Sequence, residues 1–310
     1  MGTPDFAVPS LHAVHAACEV VVVVTQPDRG RGRGRTLAPS DVAAAAGALG
    51  LTVLKPANVN APEVVDALKA PAPELFAVVA FGSLLKPPLL AVPKLGSINL
   101  HGSLLPAYRG AAPVQHALWD GLEETGVTTM WIDEGLDTGD MILERSTTIE
   151  PGETAGQLSA RLAELGAPLL AESVVLAHQG RAPRTPQPAE GASYAKKMKK
   201  QDGWIRFDAP ARAIWNRQRA VTPWPGATVE HAGHPLRIEA CAPVREDRVR
   251  EAPGTVLAVT RDGVDVACAP GVLRLMRVRP ASRPAMAASD WARGARIEPG
   301  AKLARIEEAA

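Results

Sequence analysis

Cysteine is scarce in this chain of 310 residues: Cys18, Cys241 and Cys268 stand far apart and are odd in number. Neither they nor the seven His show metal-ligand spacing, so no metal is expected. The same usage suggests a reducing, cytoplasmic setting. No apolar run reaches the roughly 18 residues that a membrane span needs, so no membrane partner is expected. The opening Met-Gly-Thr-Pro-Asp-Phe has no basic region and no signal-peptide shape. Phe6 stands where a myristoylation signal would want Ser or Thr. No Gly-x-Gly-x-x-Gly follows a strand, which argues against a dinucleotide site.

What is present is enough for two domains with a proper core, since 46% of residues are hydrophobic and 22% charged. The formal net charge of +1 conceals an asymmetry. Residues 1–193 hold 13 Lys/Arg against 20 Asp/Glu, a balance of −7, and residues 194–310 hold 21 against 13, a balance of +8. A basic half beside an acidic half suggests that one half meets a polyanion. An Arg-rich composition without a partner would give the same count.

The pattern along the chain predicts helices over residues 6–17, 40–49, 61–70, 110–120 and 153–178. Strands are expected over 19–25, 51–54, 75–81, 97–101, 126–132 and 141–149. Four consecutive valines, Val21 to Val24, suit a strand buried on both faces. This alternation predicts a doubly wound α/β sheet. One element is missing: a helix at residue 6 of such a fold should follow a strand, yet only five residues precede it. Residues 86–93 are Pro-rich and read as a loop. Residues 181–193 show no periodicity and read as a linker between a first domain, 1–180, and a second, 194–310. Beyond a helix at 209–220, short strands at 228–231, 235–240, 254–260, 263–267 and 272–278 predict a small barrel.

Residues 97–140 carry the candidate chemistry. In an extended chain alternate side chains share a face, so Asn99 and His101 point the same way. Gly102 and Pro106 break the strand, leaving His101 at its end, where a sheet delivers side chains into a crevice. Asp137, in Gly-Leu-Asp-Thr-Gly-Asp, stands at another strand end, so amide, imidazole and carboxylate could converge. Taken singly, each also reads as a strand-end or turn residue. Two basic segments stand apart. Arg29, Arg31, Arg33 and Arg35 alternate with glycines in a segment expected to be flexible, able to lay guanidinium groups along phosphates or to be a solvated loop. Lys196, Lys197, Lys199 and Lys200 form a patch suited to phosphate contact or to solvent. Trp204, Trp215 and Trp224 could stack on bases but fit core packing better.

Asn-x-His followed by Gly-Ser-Leu-Leu-Pro, with Gly-Leu-Asp-Thr-Gly-Asp some 35 residues on, resembles the 10-formyltetrahydrofolate-dependent formyltransferases over nearly the whole chain. The resemblance is greatest to the branch whose acceptor is methionine charged on initiator tRNA. It implies a Rossmann-like catalytic domain followed by an OB-like tRNA-binding domain. It also implies a monomer acting in translation initiation, with 10-formyltetrahydrofolate as co-substrate and no metal. Asn99, His101 and Asp137 would be catalytic, and Ser103, Leu104, Leu105 and Pro106 would form the folate-contacting turn. Tyr108, Arg109 and Gly110 continue the motif, with Arg109 structural or folate-side. The Arg/Gly segment matches a basic loop that reaches the acceptor stem, with Arg33 as groove reader. The family has an apolar strand leading into Gly-Thr-Pro-x-Phe-Ala, which Gly2 to Ala7 match, so the natural protein is expected to begin several residues upstream. Relatives that formylate an amino sugar or glycinamide ribonucleotide, a folate-dehydrogenase domain, and a dead RNA-binding relative are the rivals.

Overall fold

The computed structural model describes residues 1–31 and 36–306. The chain forms two compact units. The first comprises Met1–Pro113, Glu124–Thr148 and Leu158–Ala195; the second comprises Val114–Glu123, Ile149–Gln157 and Lys196–Ala310.

In the first unit, local chemistry fixes the early helices. Helix α1 (Val8–Ala17) carries Pro9 in its first turn, where a missing N–H costs nothing. Strand β1 (Val23–Val24) follows, then a two-stranded ribbon of β2 (Arg29–Arg31) and β3 (Thr36–Ala38). Helix α2 (Asp41–Ala48) starts at Ser40, whose hydroxyl accepts the Ala43 N–H at 3.1 Å. This N-cap satisfies one of the donors that a helix start leaves free. Next come β4 (Val53–Leu54), α3 (Pro62–Lys69), β5 (Leu75–Val79) and the single turn α4 (Pro87–Leu90). The chain continues through β6 (Gly96–His101), β7 (Arg109–Gly110), α5 (Pro113–Trp119), β8 (Glu124–Trp131), β9 (Met141–Thr148), α6 (Ala155–His178) and β10 (Tyr194–Ala195), of which α5 from Val114 on and the first three residues of α6 belong to the second unit.

The main sheet runs β5-β6-β8-β9. Strands β5 and β6 are parallel, whereas β8 and β9 are antiparallel to their neighbours. The sheet is therefore mixed rather than wholly parallel. Alternate residues of β6 share a face: Ile98 and Leu100 lie in the core on one side, while Ser97 and His101 are buried on the other. Leu100 packs so closely on α6 that a Cβ at Gly166 would stand 2.7 Å from its Cδ2. That face is closed to chemistry, and the opposite one carries Asn99 and His101.

Three segments depart from expectation. The strand expected over 19–25 pairs only at Val23 and Val24, with β4, and Val21 is 41% exposed. The Arg/Gly segment is a hairpin at its base, with Gly30 opposite Leu37. The Pro-rich stretch folds as α4, because Pro87 and Pro88 sit where a helix tolerates them.

In the second unit, α7 (Ala211–Ala220) precedes β11 (Ala227–His231), β12 (His234–Arg245), β13 (Val256–Thr260), β14 (Gly263–Ala267), β15 (Val272–Pro280), β16 (Met286–Ala287) and α8 (Ala288–Gly294). The strands form one antiparallel sheet in the order β11-β12-β15-β14-β13, with β16 on β15. The 3₁₀ turn at Lys200–Gly203, β16 and α8 were not anticipated, being too short or too weakly periodic to show in the sequence. Register shifts between Ile238 and Cys241 bend β12, as bulges do in strongly curved small sheets.

Candidate active site

At the end of β6, His101 is 5% exposed. Its Nε2 lies 2.8 Å from the backbone oxygen of Tyr108. A carbonyl can only accept, so this bond places the ring proton on Nε2 and leaves Nδ1 as the basic nitrogen. Nδ1 faces Asp137 Oδ2 at 3.8 Å. Two residues earlier, Asn99 is half-buried, paired through its backbone with β5 and β8 opposite Val78 and Met130. Among the described residues, no hydrogen bond engages its side-chain amide.

Asp137 reaches this point through an unusual backbone. Its φ is +54°, a left-handed conformation uncommon outside glycine and asparagine. The turn around it is built by Asp133, whose carboxylate accepts the Gly135 N–H at 3.0 Å and the Thr138 hydroxyl at 2.8 Å. Asp137 Oδ2 accepts the Gly110 N–H at 2.8 Å. Gly110 has φ +111°, and a Cβ there would meet the Ala195 oxygen at 2.7 Å, so only glycine serves both needs.

Gln187, in the stretch expected to be a linker, ties these pieces together. Its Nε2 donates to the carbonyls of Asp137 and Gly139 at 2.9 and 2.8 Å. Its Oε1 accepts from Arg109 Nε and Nη2 at 3.0 and 2.8 Å. This gives Arg109 a structural role. The stretch itself lies along the first unit: Thr185 and Met141 exchange backbone hydrogen bonds, and Pro183 accepts the Trp131 indole N–H. No sequence signal marked Gln187, since its importance arises only from this docking.

The 103–106 turn is internally braced. The Ser103 hydroxyl donates to Ala107 O at 2.6 Å, and Thr128 Oγ1 links Ser103 O to Leu105 N at 2.8 and 3.1 Å. Ser103 and Leu105 are buried, so a ligand at this turn would meet the half-buried Leu104 and Pro106. Of the basic candidates, Arg29 is exposed in β2. The side chain of Arg31 and all of Arg33 and Arg35 lie outside the described residues. Lys196, Lys197, Lys199 and Lys200 are exposed on the second unit, around the buried Met198. The guanidinium groups of Arg212 and Arg219 lie over the Trp215 ring, at 5.2 and 4.0 Å from its centroid. Trp224 is 57% exposed. Among the described residues, no helix is long and apolar enough to cross a membrane.

The end of β6 thus brings an imidazole and a carboxylate within 3.8 Å, with an amide two residues earlier on the same strand, in an α/β unit followed by a β-rich one. The chain belongs to the formyl transferase family: residues 5–174 match formyl transferase and residues 197–296 match formyl transferase, C-terminal domain. It is similar to the methionyl-tRNA formyltransferase of Pelotomaculum thermopropionicum, 44% identical over 98% of this chain and 97% of that protein. The methionyl-tRNA formyltransferase of Halorhodospira halophila is 45% identical over 96% of each. Among solved structures, the N-formyltransferase of Helicobacter canadensis with folinic acid and dTDP-3-aminofucose has a TM-score of 0.64 at 19% identity, covering 88% of this chain and 96% of that one. WlaRD, a sugar 3N-formyl transferase, has a TM-score of 0.65 at 18% identity, covering 91% and 97%. At these identities the likeness is one of fold.

Proposed function

We propose that this chain transfers a formyl group from 10-formyltetrahydrofolate to the α-amino group of methionyl initiator tRNA, in the cytoplasm and as a monomer. Its nearly full-length similarity to methionyl-tRNA formyltransferases supports the acceptor. The observation that carries the chemistry is His101, with Nε2 committed to Tyr108 O and Nδ1 turned to Asp137.

Acyl transfer passes through a tetrahedral, oxygen-charged state, and the folate supplies only the formyl group. The free Asn99 amide donates to the developing oxygen; losing one such donor typically costs about 10²–10³ in rate. Because neutral His101 has already committed its one N–H, it acts as a base rather than a second donor. Nδ1 takes the proton that the attacking amine must lose, and Asp137 favours the resulting imidazolium. His101 then returns that proton to the departing nitrogen, a contribution of about 10²–10⁴. Neither a covalent intermediate nor a metal is needed. The 103–106 turn borders the folate side, and Arg29, Arg31, Arg33 and Arg35 with Lys196, Lys197, Lys199 and Lys200 contact tRNA phosphates.

The test is formylmethionine production from 10-formyltetrahydrofolate and charged initiator tRNA, with a non-initiator methionyl-tRNA and an amino sugar nucleotide alongside. Formylation of the initiator substrate is expected. Formylation of the sugar alone would replace the acceptor, and no product from folded protein would sink the reading.

A further inference from the structure

Two segments far apart in the chain meet beside His101. Strand β10 runs parallel to β7, with Tyr194 opposite Arg109 and Ala195 opposite Gly110. Ser193, the last residue of the stretch expected to be a linker, leads into it. Its backbone oxygen accepts the Arg109 N–H at 2.8 Å, and its N–H donates to Pro106 O at 3.3 Å. Ala195 O accepts the Ala111 N–H at 2.9 Å. These backbone bonds hold the segment from 106 to 111 in place. One further bond comes from a side chain: the Tyr108 N–H donates to Ser193 Oγ at 2.8 Å. Among the described residues, no other hydrogen bond engages that hydroxyl.

Tyr108 depends on it. Its φ is +58°, in the left-handed region that so bulky a side chain rarely enters. A residue other than glycine keeps such a conformation only where its surroundings over-determine it. Here the N–H of Tyr108 is tied to Ser193, and its carbonyl to His101 Nε2 at 2.8 Å. Ser193 Oγ, the Tyr108 backbone and the imidazole therefore form one line of hydrogen bonds.

We propose that Ser193 is a positioning residue that sets the tautomer of His101 through Tyr108. With the Tyr108 carbonyl in place, the neutral ring keeps its proton on Nε2 and offers Nδ1 as the base. Without the hydroxyl, the Tyr108 N–H loses its acceptor and the left-handed backbone relaxes, turning the carbonyl away from the ring. Asp137 Oδ2, 3.8 Å from Nδ1, is then the acceptor facing the imidazole, and it draws the proton to Nδ1. The nitrogen that takes the amine's proton is already occupied in that tautomer. Threonine keeps an oxygen on Cβ and serves; alanine does not. The inference rests on the proposed role of His101 as base, but the tautomer is a property of the protein alone.

The experiment compares the natural chain with Ser193→Ala and Ser193→Thr. Formylation is measured with 10-formyltetrahydrofolate and methionyl initiator tRNA. Ring nitrogen NMR spectra are recorded without substrate, on isotope-labelled histidine and at a pH where the ring is neutral; His101 is assigned by its loss in His101→Gln. Ser193→Ala is expected to lower kcat about 10- to 100-fold, with both KM values within about twofold. Its His101 signals should move from the Nε2–H pattern toward the Nδ1–H pattern. Ser193→Thr should restore both. The proposal fails if Ser193→Ala leaves the His101 pattern or kcat unchanged, or if threonine does no better than alanine. If the natural chain itself does not formylate methionyl-tRNA, the acceptor reading is lost and the nitrogen spectra alone decide the role of Ser193.

Discussion

The side-chain amide of Gln187 donates to the backbone carbonyl of Asp137 at 2.9 Å, holding a left-handed residue in place from 50 positions away. The same side chain accepts two hydrogen bonds from Arg109, so one amide joins the turn that carries Asp137 to the segment whose Gly110 N–H binds the Asp137 carboxylate. Gln187→Ala should therefore loosen Asp137 without touching substrate. We expect kcat to fall about tenfold with KM little changed, as second-layer partners of functional groups typically do. Gln187→Glu keeps the Arg109 contact but loses both donated bonds, and should resemble the alanine variant. Steady-state kinetics, with circular dichroism to verify folding, provide the check; a KM effect alone would contradict a positioning role.

The three proposed catalytic residues should separate by magnitude. Asn99→Ala is expected to cost about 10²–10³ in kcat. His101→Ala should cost about 10²–10⁴. Asp137→Asn, which retains shape but removes the carboxylate charge beside Nδ1, should lower kcat about 10- to 100-fold. Single-turnover formylation measures all three. An unchanged rate in the Asp137 variant would remove it from the proton path.

Stability should depend on pH through the Met1 amine. Its ordinary value is 8.0 and burial lowers it to about 5 in the folded chain. Between these values the unfolded chain binds a proton that the folded chain does not, so this group's contribution to stability rises from pH 5 to pH 8 and is constant outside that window. The full swing is about 4 kcal/mol as an upper bound. Urea unfolding at several pH values reads it. A chain extended beyond Met1 should lack this slope.

Cys241 and Cys268 should be inert to thiol reagents in the native protein. Burial raises both, Cys268 to about 12 and Cys241 further, while a thiolate is the reactive form. Half-buried Cys18 should be labelled first, although burial raises it too. Mass mapping after iodoacetamide at pH 8 tests the order; early labelling of Cys241 would mean that the second unit opens readily.

Replacing Lys196, Lys197, Lys199 and Lys200 with alanine should weaken tRNA binding without changing folate binding. Each lysine that meets a phosphate should lower the salt slope of log K by about one. Filter binding over a salt series measures the slope. An unchanged slope would return the patch to solvent.

The sequence by itself determined most of the longer elements and which face of β6 carries Asn99 and His101. The spacing of two in Ser-Ile-Asn-Leu-His put Ile98 and Leu100 into the core and Asn99 and His101 together on the other face, because a strand's pleat is a local property. The valine run marked a strand of which only Val23 and Val24 are paired and buried, and the charge imbalance marked a basic second half. Sequence could not place Asp137 against His101, since that approach requires a left-handed backbone, the Asp133 turn and the Gly110 amide together. It could not show that Tyr108 O fixes the His101 tautomer, nor that Gln187 belongs to the site. Those relations join residues distant in the chain through hydrogen bonds that have no period. Periodicity reports which face is buried; only tertiary structure decides what meets across a crevice.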